Sequence, residues 1–292
     1  RYPTRRLDHS AQILSIIGLS YMNKILFTDI DSTLIPYCGT MSEKTHNAVV
    51  RMLADGNKLV LASGRSINSM MSVVSRCDLR LDGCYAICYN GAQFIDINTG
   101  KRQFTLAIDK KYTDLIVTES RKHGFTILMY EDDGVVAETT SENIVKRYKN
   151  QGVGFRIADL TKDTKVNRLK LVISNEGEKA HEELKAFREH MTAQVGDVLD
   201  LYFSSDTYLE VVLKDVNKGN ALKKVCEYFS TDIADSVAAG DEENDLSMIK
   251  IAGIGCAVAN AIDRVKAAAD FVTENDCEHV GIVEVIEKYL LG

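Results

Sequence analysis

From Lys24 onward the chain alternates apolar runs of strand length with longer stretches of helical periodicity, and this order constrains the fold more than any other feature of the sequence. Continuous apolar runs suit strands buried on both faces, and helices between them supply the crossovers that a parallel sheet needs. KILFTD reads as the first such strand. SEKTHNAVVRMLADGN then sets Ala48, Val49, Met52 and Leu53 at helical spacing, with Ser42 as N-cap and Gly56 as the stop. KLVLAS, SINSMMSVVSRC and CYAICYN follow as strand, helix and strand, which completes a doubly wound half-domain.

After Asn90 the texture changes. QFIDINTGKRQFTLAI carries the turn signal Asn98-Thr99-Gly100 between two alternating segments and reads as a hairpin. To about residue 207 such strands mix with amphipathic helices, for example KYTDLIVTESRKHG and EGEKAHEELKAFREHM, the pattern of an α+β module with helices on one side. NKGNALKKVCEYF, DSVAAGD, DLSMIKIAG and IGCAVAN then resume the parallel-sheet pattern. The expected architecture is α/β: a doubly wound, parallel-sheet, Rossmann-like core over 22–92 and 208–292, interrupted by an inserted α+β cap over 93–207. Residues 1–21, arginine-rich and then apolar, are expected to stand outside the fold as an N-terminal extension. Met22 followed by NKILFTDID reads as a natural start, and the apolar part before it is too short and mixed to span a membrane.

With 292 residues, 45% of them hydrophobic and 26% charged, the chain has the apolar matter for a sizeable core in two domains, which excludes disorder. A net charge of -7 leaves no basic surface for a phosphate backbone, so neither nucleic acid nor membrane is an expected partner. Small anionic substrates fit where a local cation recruits them. The seven cysteines are scattered singly without a C-x-x-C spacing, which points to free thiols in a reducing, cytoplasmic compartment and away from a thiolate metal site. The six histidines show no ligand spacing.

DIDST at 29–33, SGR at 63–65, NKG at 217–219 and GDEEND at 240–245 each lie where a core strand should end. Open α/β sheets bind ligands beyond the carboxyl ends of their strands, so these distant segments can converge. Cleaving a phosphate monoester requires a nucleophile, a proton for the departing alkoxide, and positive charge to offset the repulsion between two anions. Asp29 can attack and carry the phosphoryl group as an aspartyl-phosphate. Strand side chains alternate, so Asp31 lies on the same side one step further on, where it can protonate the leaving oxygen and then deprotonate water. Two like charges about 4 Å apart repel by roughly 4 kcal/mol at an effective dielectric of about 20, so the cluster calls for a cation. Magnesium suits Asp29, Asp241 and the backbone carbonyl of Asp31, with Asn244 or Asp245 in support. Lys218 adds a movable ammonium for the phosphate. Ser63, ahead of a helix expected to begin near Arg65, offers a hydroxyl beside free N–H groups, either as a phosphate cradle or as a plain helix cap. GDEEND also reads as an acidic cluster at a helix start, with Glu242 and Glu243 in solvent, and Arg65 reads as structural.

In this order DxDxT, a lone Ser before Gly-Arg, KG opening a helix and GDxxND together resemble the four motifs of the haloacid dehalogenase (HAD) superfamily of phosphohydrolases. The insertion between the second and third motifs resembles the type IIB cap of the Cof-like sugar-phosphatase branch. The resemblance covers essentially all of 22–292. It implies Asp29 as nucleophile and Asp31 as general acid/base, with Ile30, Ser63, Gly64, Lys218 and Asn244 at the phosphate. It also implies Asp29, Asp31 and Asp241 around Mg2+, with Asp245 and Asn90 behind them; Asn90-Gly91-Ala92 matches the branch as well. Ser32 departs from the pattern, since the branch usually has Gly there, and a serine restricts the backbone unless φ stays negative. The implied activity is magnesium-dependent hydrolysis of small phosphate monoesters, sugar phosphates first. The alternatives are a phosphotransferase of the mutase kind and a non-catalytic phosphometabolite sensor, and the presence of both Asp29 and Asp31 speaks against the sensor.

Overall fold

β1 (Ile25–Thr28) is buried along its whole length, as a continuous apolar run should be, with Leu26 facing one layer and Ile25 and Phe27 the other. Around it a computed structural model, which describes residues 23–291 apart from 38, 132–133, 140–144, 146–153 and 164–167, builds two sheets. The extension expected over 1–21 lies outside the described residues.

α1 (Glu43–Ala54), β2 (Lys58–Ala62), α2 (Ile67–Arg76) and β3 (Cys84–Cys88) follow in the expected order, and β4 (Gln93–Asp96) and β5 (Arg102–Thr105) form the hairpin. Next come α3 (Lys110–Lys122), β6 (Thr126–Glu131), β7 (Gly134–Ala137), β8 (Gly154–Ile157), β9 (Lys170–Ser174), α4 (Ala180–Val195), β10 (Leu199–Ser205) and β11 (Tyr208–Leu213). The chain then returns through α5 (Lys218–Phe229), β12 (Ser236–Gly240), α6 (Leu246–Ile251), β13 (Ile254–Ala257), α7 (Asp263–Lys266), β14 (Phe271–Val272) and α8 (Gly281–Tyr289).

Eight strands form the first sheet in the order β14-β13-β12-β1-β2-β3-β4-β5, with β1 paired in parallel to both β12 and β2. Strand order thus runs outward from β1 in both directions, and the crevice beyond the carboxyl ends of β1 and β12 is the switch point where such sheets take ligands. Met52 of α1, Val73 of α2 and Ile286 of α8 cover one face, while Leu222 and Val225 of α5 and Met248 of α6 cover the other. Each fully buried side chain of this kind contributes on the order of 2 kcal/mol. The doubly wound core read from the sequence is what forms.

Ser42 caps α1 by accepting from the Thr45 N–H at 3.1 Å, and Gly56, at φ +88°, turns the chain out of the helix. α2 starts later than the expected Arg65: Ser66 is its cap, which leaves Ser63 in the preceding loop.

The second sheet runs β10-β11-β9-β6-β7-β8, and α3 and α4 cover one face by packing Ile116, Leu184 and Phe187 against Ile127, Leu171 and Leu209. Strand membership moves both expected limits of the insertion. The range 93–207 assigns the hairpin to the insertion, whereas β4 pairs antiparallel with β3 and extends the first sheet. Phe94 supplies the physical reason, since it packs against Phe104 and Phe229 inside the core layer. At the other end the limit at 208 places β11 in the core, yet it pairs with β9 and β10, and Leu209 and Val211 fill the apolar layer of the second sheet.

Candidate active site

β1 carries the chain straight into Asp29, which is buried and whose N–H still donates to Ala239 O of β12 at 2.9 Å. The chain then turns at once. The Ile30 carbonyl accepts from the N–H groups of Leu34 and Ile35, and the Ser32 N–H donates back to Ile35 O at 2.8 Å. Ser32 stands at φ +63°, so the loop imposes the left-handed conformation that glycine fits best, and the inexpensive case of negative φ does not hold. Asn260 steadies this loop: its Nδ2 donates to Ser32 O at 2.8 Å while its Oδ1 accepts from the Cys277 N–H at 2.9 Å.

Lys218 is the first residue of α5, behind Asn217, whose side chain caps the helix by accepting from the Asn220 N–H at 2.9 Å. It is fully buried, and its Nζ donates to Asp29 Oδ1 and Asp245 Oδ1 at 2.5 Å each, so the ammonium expected to be movable is held between two carboxylates. The second oxygen of Asp245 accepts from the N–H groups of Asp241 and Glu242 at 2.9 and 3.0 Å. Glycine is required at 240, because a Cβ there would lie 2.4 Å from the Asp245 Cβ. Asp241 Oδ1 accepts from Thr33 Oγ1 at 2.5 Å. Asp29, Asp241 and Asp245 are all buried, and each brings one oxygen within 4.8 Å of the others.

Charge in this cluster does not balance, since three carboxylates face one ammonium. Burial pushes the Asp29 carboxyl up to about 7; Lys218 pulls the other way, and the charges of Asp245 and Asp241 add to the rise. Burial also pushes Asp241 up to about 6, against the Thr33 hydrogen bond and with the charges of Asp245 and Glu242. For Lys218 burial works downward, but Asp29 and Asp245 outweigh it and hold the ammonium above its ordinary value. Buried carboxylate oxygens in excess of their donors are a ligand set for a hard divalent cation.

Asp31 stands apart from the cluster. Its carboxylate accepts a bidentate pair from Arg65, Nε to Oδ2 at 2.8 Å and Nη2 to Oδ1 at 2.7 Å, and Arg65 Nη1 donates to Ser69 Oγ at 2.8 Å. Its side chain therefore does not join Asp29 and Asp241, and the expected metal contact at this residue concerns its carbonyl. Ser63 is buried, and its Oγ accepts from the Arg65 N–H at 3.3 Å. A Cβ on Gly64 would meet the Asn90 amide at 3.2 Å, and Asn90 Oδ1 accepts from Asn244 Nδ2 at 3.2 Å. Ile30 has its side chain in the core, so a contact from it runs through the main chain. The roles of Thr33, behind Asp241, and of Asn260, behind Ser32, are absent from the sequence reading. Thr33 is marked by its place in DIDST; no local pattern marks Asn260, 228 positions from its partner.

Similarity to known proteins accords with this geometry. YxeH of Bacillus subtilis is 27% identical over 281 residues, which cover 93% of this chain and 100% of that protein. The HMP-PP phosphatase of Yersinia enterocolitica is 23% identical over 270 residues, 92% of this chain and 96% of its own. The solved structure of the HAD subclass IIB sugar phosphatase BT4131 shares the fold, with a TM-score of 0.71 at 22% identity over 91% of this chain and 98% of that one. The model of the haloacid dehalogenase-like hydrolase family matches residues 26–286, a span that takes in every loop of the site, and the chain belongs to that family.

Proposed function

We propose that this protein is a magnesium-dependent phosphatase that hydrolyses small phosphate monoesters, sugar phosphates in particular, through an aspartyl-phosphate on Asp29. The observation that carries the reading is the buried trio Asp29, Asp241 and Asp245 around Lys218 at the switch point of the first sheet. Asp29 and Asp241 would hold Mg2+, with the Asp31 carbonyl as a further ligand, and the ion supplies the positive charge that lets a carboxylate approach a phosphate dianion.

In the first step an Asp29 oxygen bonds to phosphorus as the ester oxygen leaves with a proton from Asp31; in the second, water attacks the phosphoaspartate, gives a proton to Asp31 and frees Asp29. Arg65 holds the Asp31 carboxyl in a bidentate pair, and that pair opens for Asp31 to reach the leaving oxygen. Ser63, Gly64 and Asn244 hold the phosphoryl oxygens, and Lys218 keeps Asp29 aligned. The second sheet acts as the cap that excludes water and selects the leaving group. The sugar-phosphate class takes support from the fold shared with a subclass IIB sugar phosphatase. A cytoplasmic site of action takes support from the six described cysteines, all free and five of them buried. Among the described residues no helix is long and apolar enough to cross a membrane.

Phosphate release across sugar phosphates, nucleotides and vitamin-linked phosphates, with and without magnesium, tests the proposal. Magnesium-dependent release led by the sugar phosphates is expected. Release from nucleotides alone would shift the substrate class, and silence across the whole panel would refute the phosphatase reading.

A further inference from the structure

Three consecutive residues after β3 hold positive φ: Tyr89 at +52°, Asn90 at +54° and Gly91 at +122°. Glycine adopts such values freely and asparagine tolerates them, but a tyrosine does so only where its surroundings over-determine the backbone. Each residue of this turn is fastened to a different part of the molecule. The N–H groups of Tyr89 and Asn90 donate to Arg65 O and Ser63 O at 3.0 Å each, in the loop after β2. The Asn90 side chain accepts from Asn244, in the loop after β12, at 3.2 Å. Gly91 lies against the residue that precedes Lys218, so closely that a Cβ would stand 2.6 Å from Asn217 O. Tyr89 itself reaches into the second sheet: its hydroxyl donates to Glu131 O at 2.9 Å, and its ring meets that of Tyr130 edge-on with centroids 6.4 Å apart.

We infer that Tyr89 is a positioning residue whose turn ties the seating of the second sheet to the loops that carry Ser63, Lys218 and Asn244. The backbone at 89–91 is pinned on three sides by the core and on the fourth by β6, so a displacement of Glu131 is passed to Asn90 instead of being absorbed by a slack loop. A tyrosine that merely packs β6 against the core would affect stability and nothing beyond β6. The kinetic part of the inference rests on the phosphatase reading; the structural part does not.

Tyr89→Phe removes the hydroxyl bond to Glu131 and keeps the ring. Hydrogen exchange on the full chain, followed by mass spectrometry, should show about tenfold faster exchange in the loops at 63–66 and 241–245 as well as in β6, with Tm lowered by only about 3 °C. Faster exchange in β6 alone, with both loops at the parent rate, would overturn the inference. With p-nitrophenyl phosphate and magnesium, Tyr89→Phe should lower kcat several-fold and leave KM within about twofold. A raised KM with an unchanged kcat would overturn the kinetic part. Failure of the parent protein to cleave this probe would count against the phosphatase reading, and the exchange data alone would then decide the inference.

Discussion

The two sheets handle charge in opposite ways. Beyond the carboxyl ends of the central strands of the first, Lys218 and Asp245 are fully buried, Asp29 is nearly so, and negative charge is in surplus. In the second, Arg156 sits between Glu131 and Asp163, Arg121 between Glu138 and Asp159, and Lys170 against Glu210, and every one of these pairs keeps contact with water. The titration of the acids follows: the Arg121 hydrogen bond holds the Glu138 carboxyl below its usual range, whereas burial pushes Asp29 and Asp241 up. Solvated pairs at a surface serve the fold modestly. A buried cluster with surplus charge works against stability, a cost that fits the chemistry proposed for it.

Asp29→Asn presses hardest on this contrast. Phosphate release should fall at least about a thousandfold, while thermal unfolding should show Tm unchanged or raised, since one surplus negative charge is gone. Activity near that of the parent would remove Asp29 from its role.

Lys218→Met keeps the length of the side chain and leaves Asp29 and Asp245 buried without their ammonium. Urea unfolding should record a loss of about 3–5 kcal/mol, and a loss no larger than that of a surface pair would erase the difference between the sheets. Arg156→Gln supplies the other half of the comparison: by the same measurement it should cost about 1 kcal/mol or less. The smallest effect is a gain. Ser32→Gly relieves the left-handed backbone at +63° and should stabilise by roughly 0.5 kcal/mol, and a variant less stable than the parent would show that the serine side chain contributes more than its strain costs.

Asp29, Ser63 and Asp241 were legible in the sequence because each directly follows a continuous apolar run, so the same letters say where the strand stops and what it presents. Lys218 was legible from the helix-opening glycine after it and its place ahead of GDEEND. Side-chain pairing across long separations was not. Asp31 to Arg65, Thr33 to Asp241 and Asn260 to Ser32 depend on loop dihedrals that a motif does not spell out. Asp245, read as a supporting residue, proves to be the fixed point between Lys218 and the main chain at 241–242. The limits of the insertion failed for another reason. Alternation identifies 93–105 as a hairpin, but a sheet edge is extended by whichever strand matches its apolar neighbours, and Phe94 and Leu209 decided that on opposite sides.

The Lys218 ammonium lies 189 positions along the chain from Asp29, and β12 arrives on the flank of β1 only after the whole second sheet has been made. On the ribosome, the amino-terminal strands therefore emerge with an acid that has no counterion and an edge that has no neighbour. The buried cluster cannot assemble before the second sheet has been made, and its assembly reports that the two halves of the first sheet have docked.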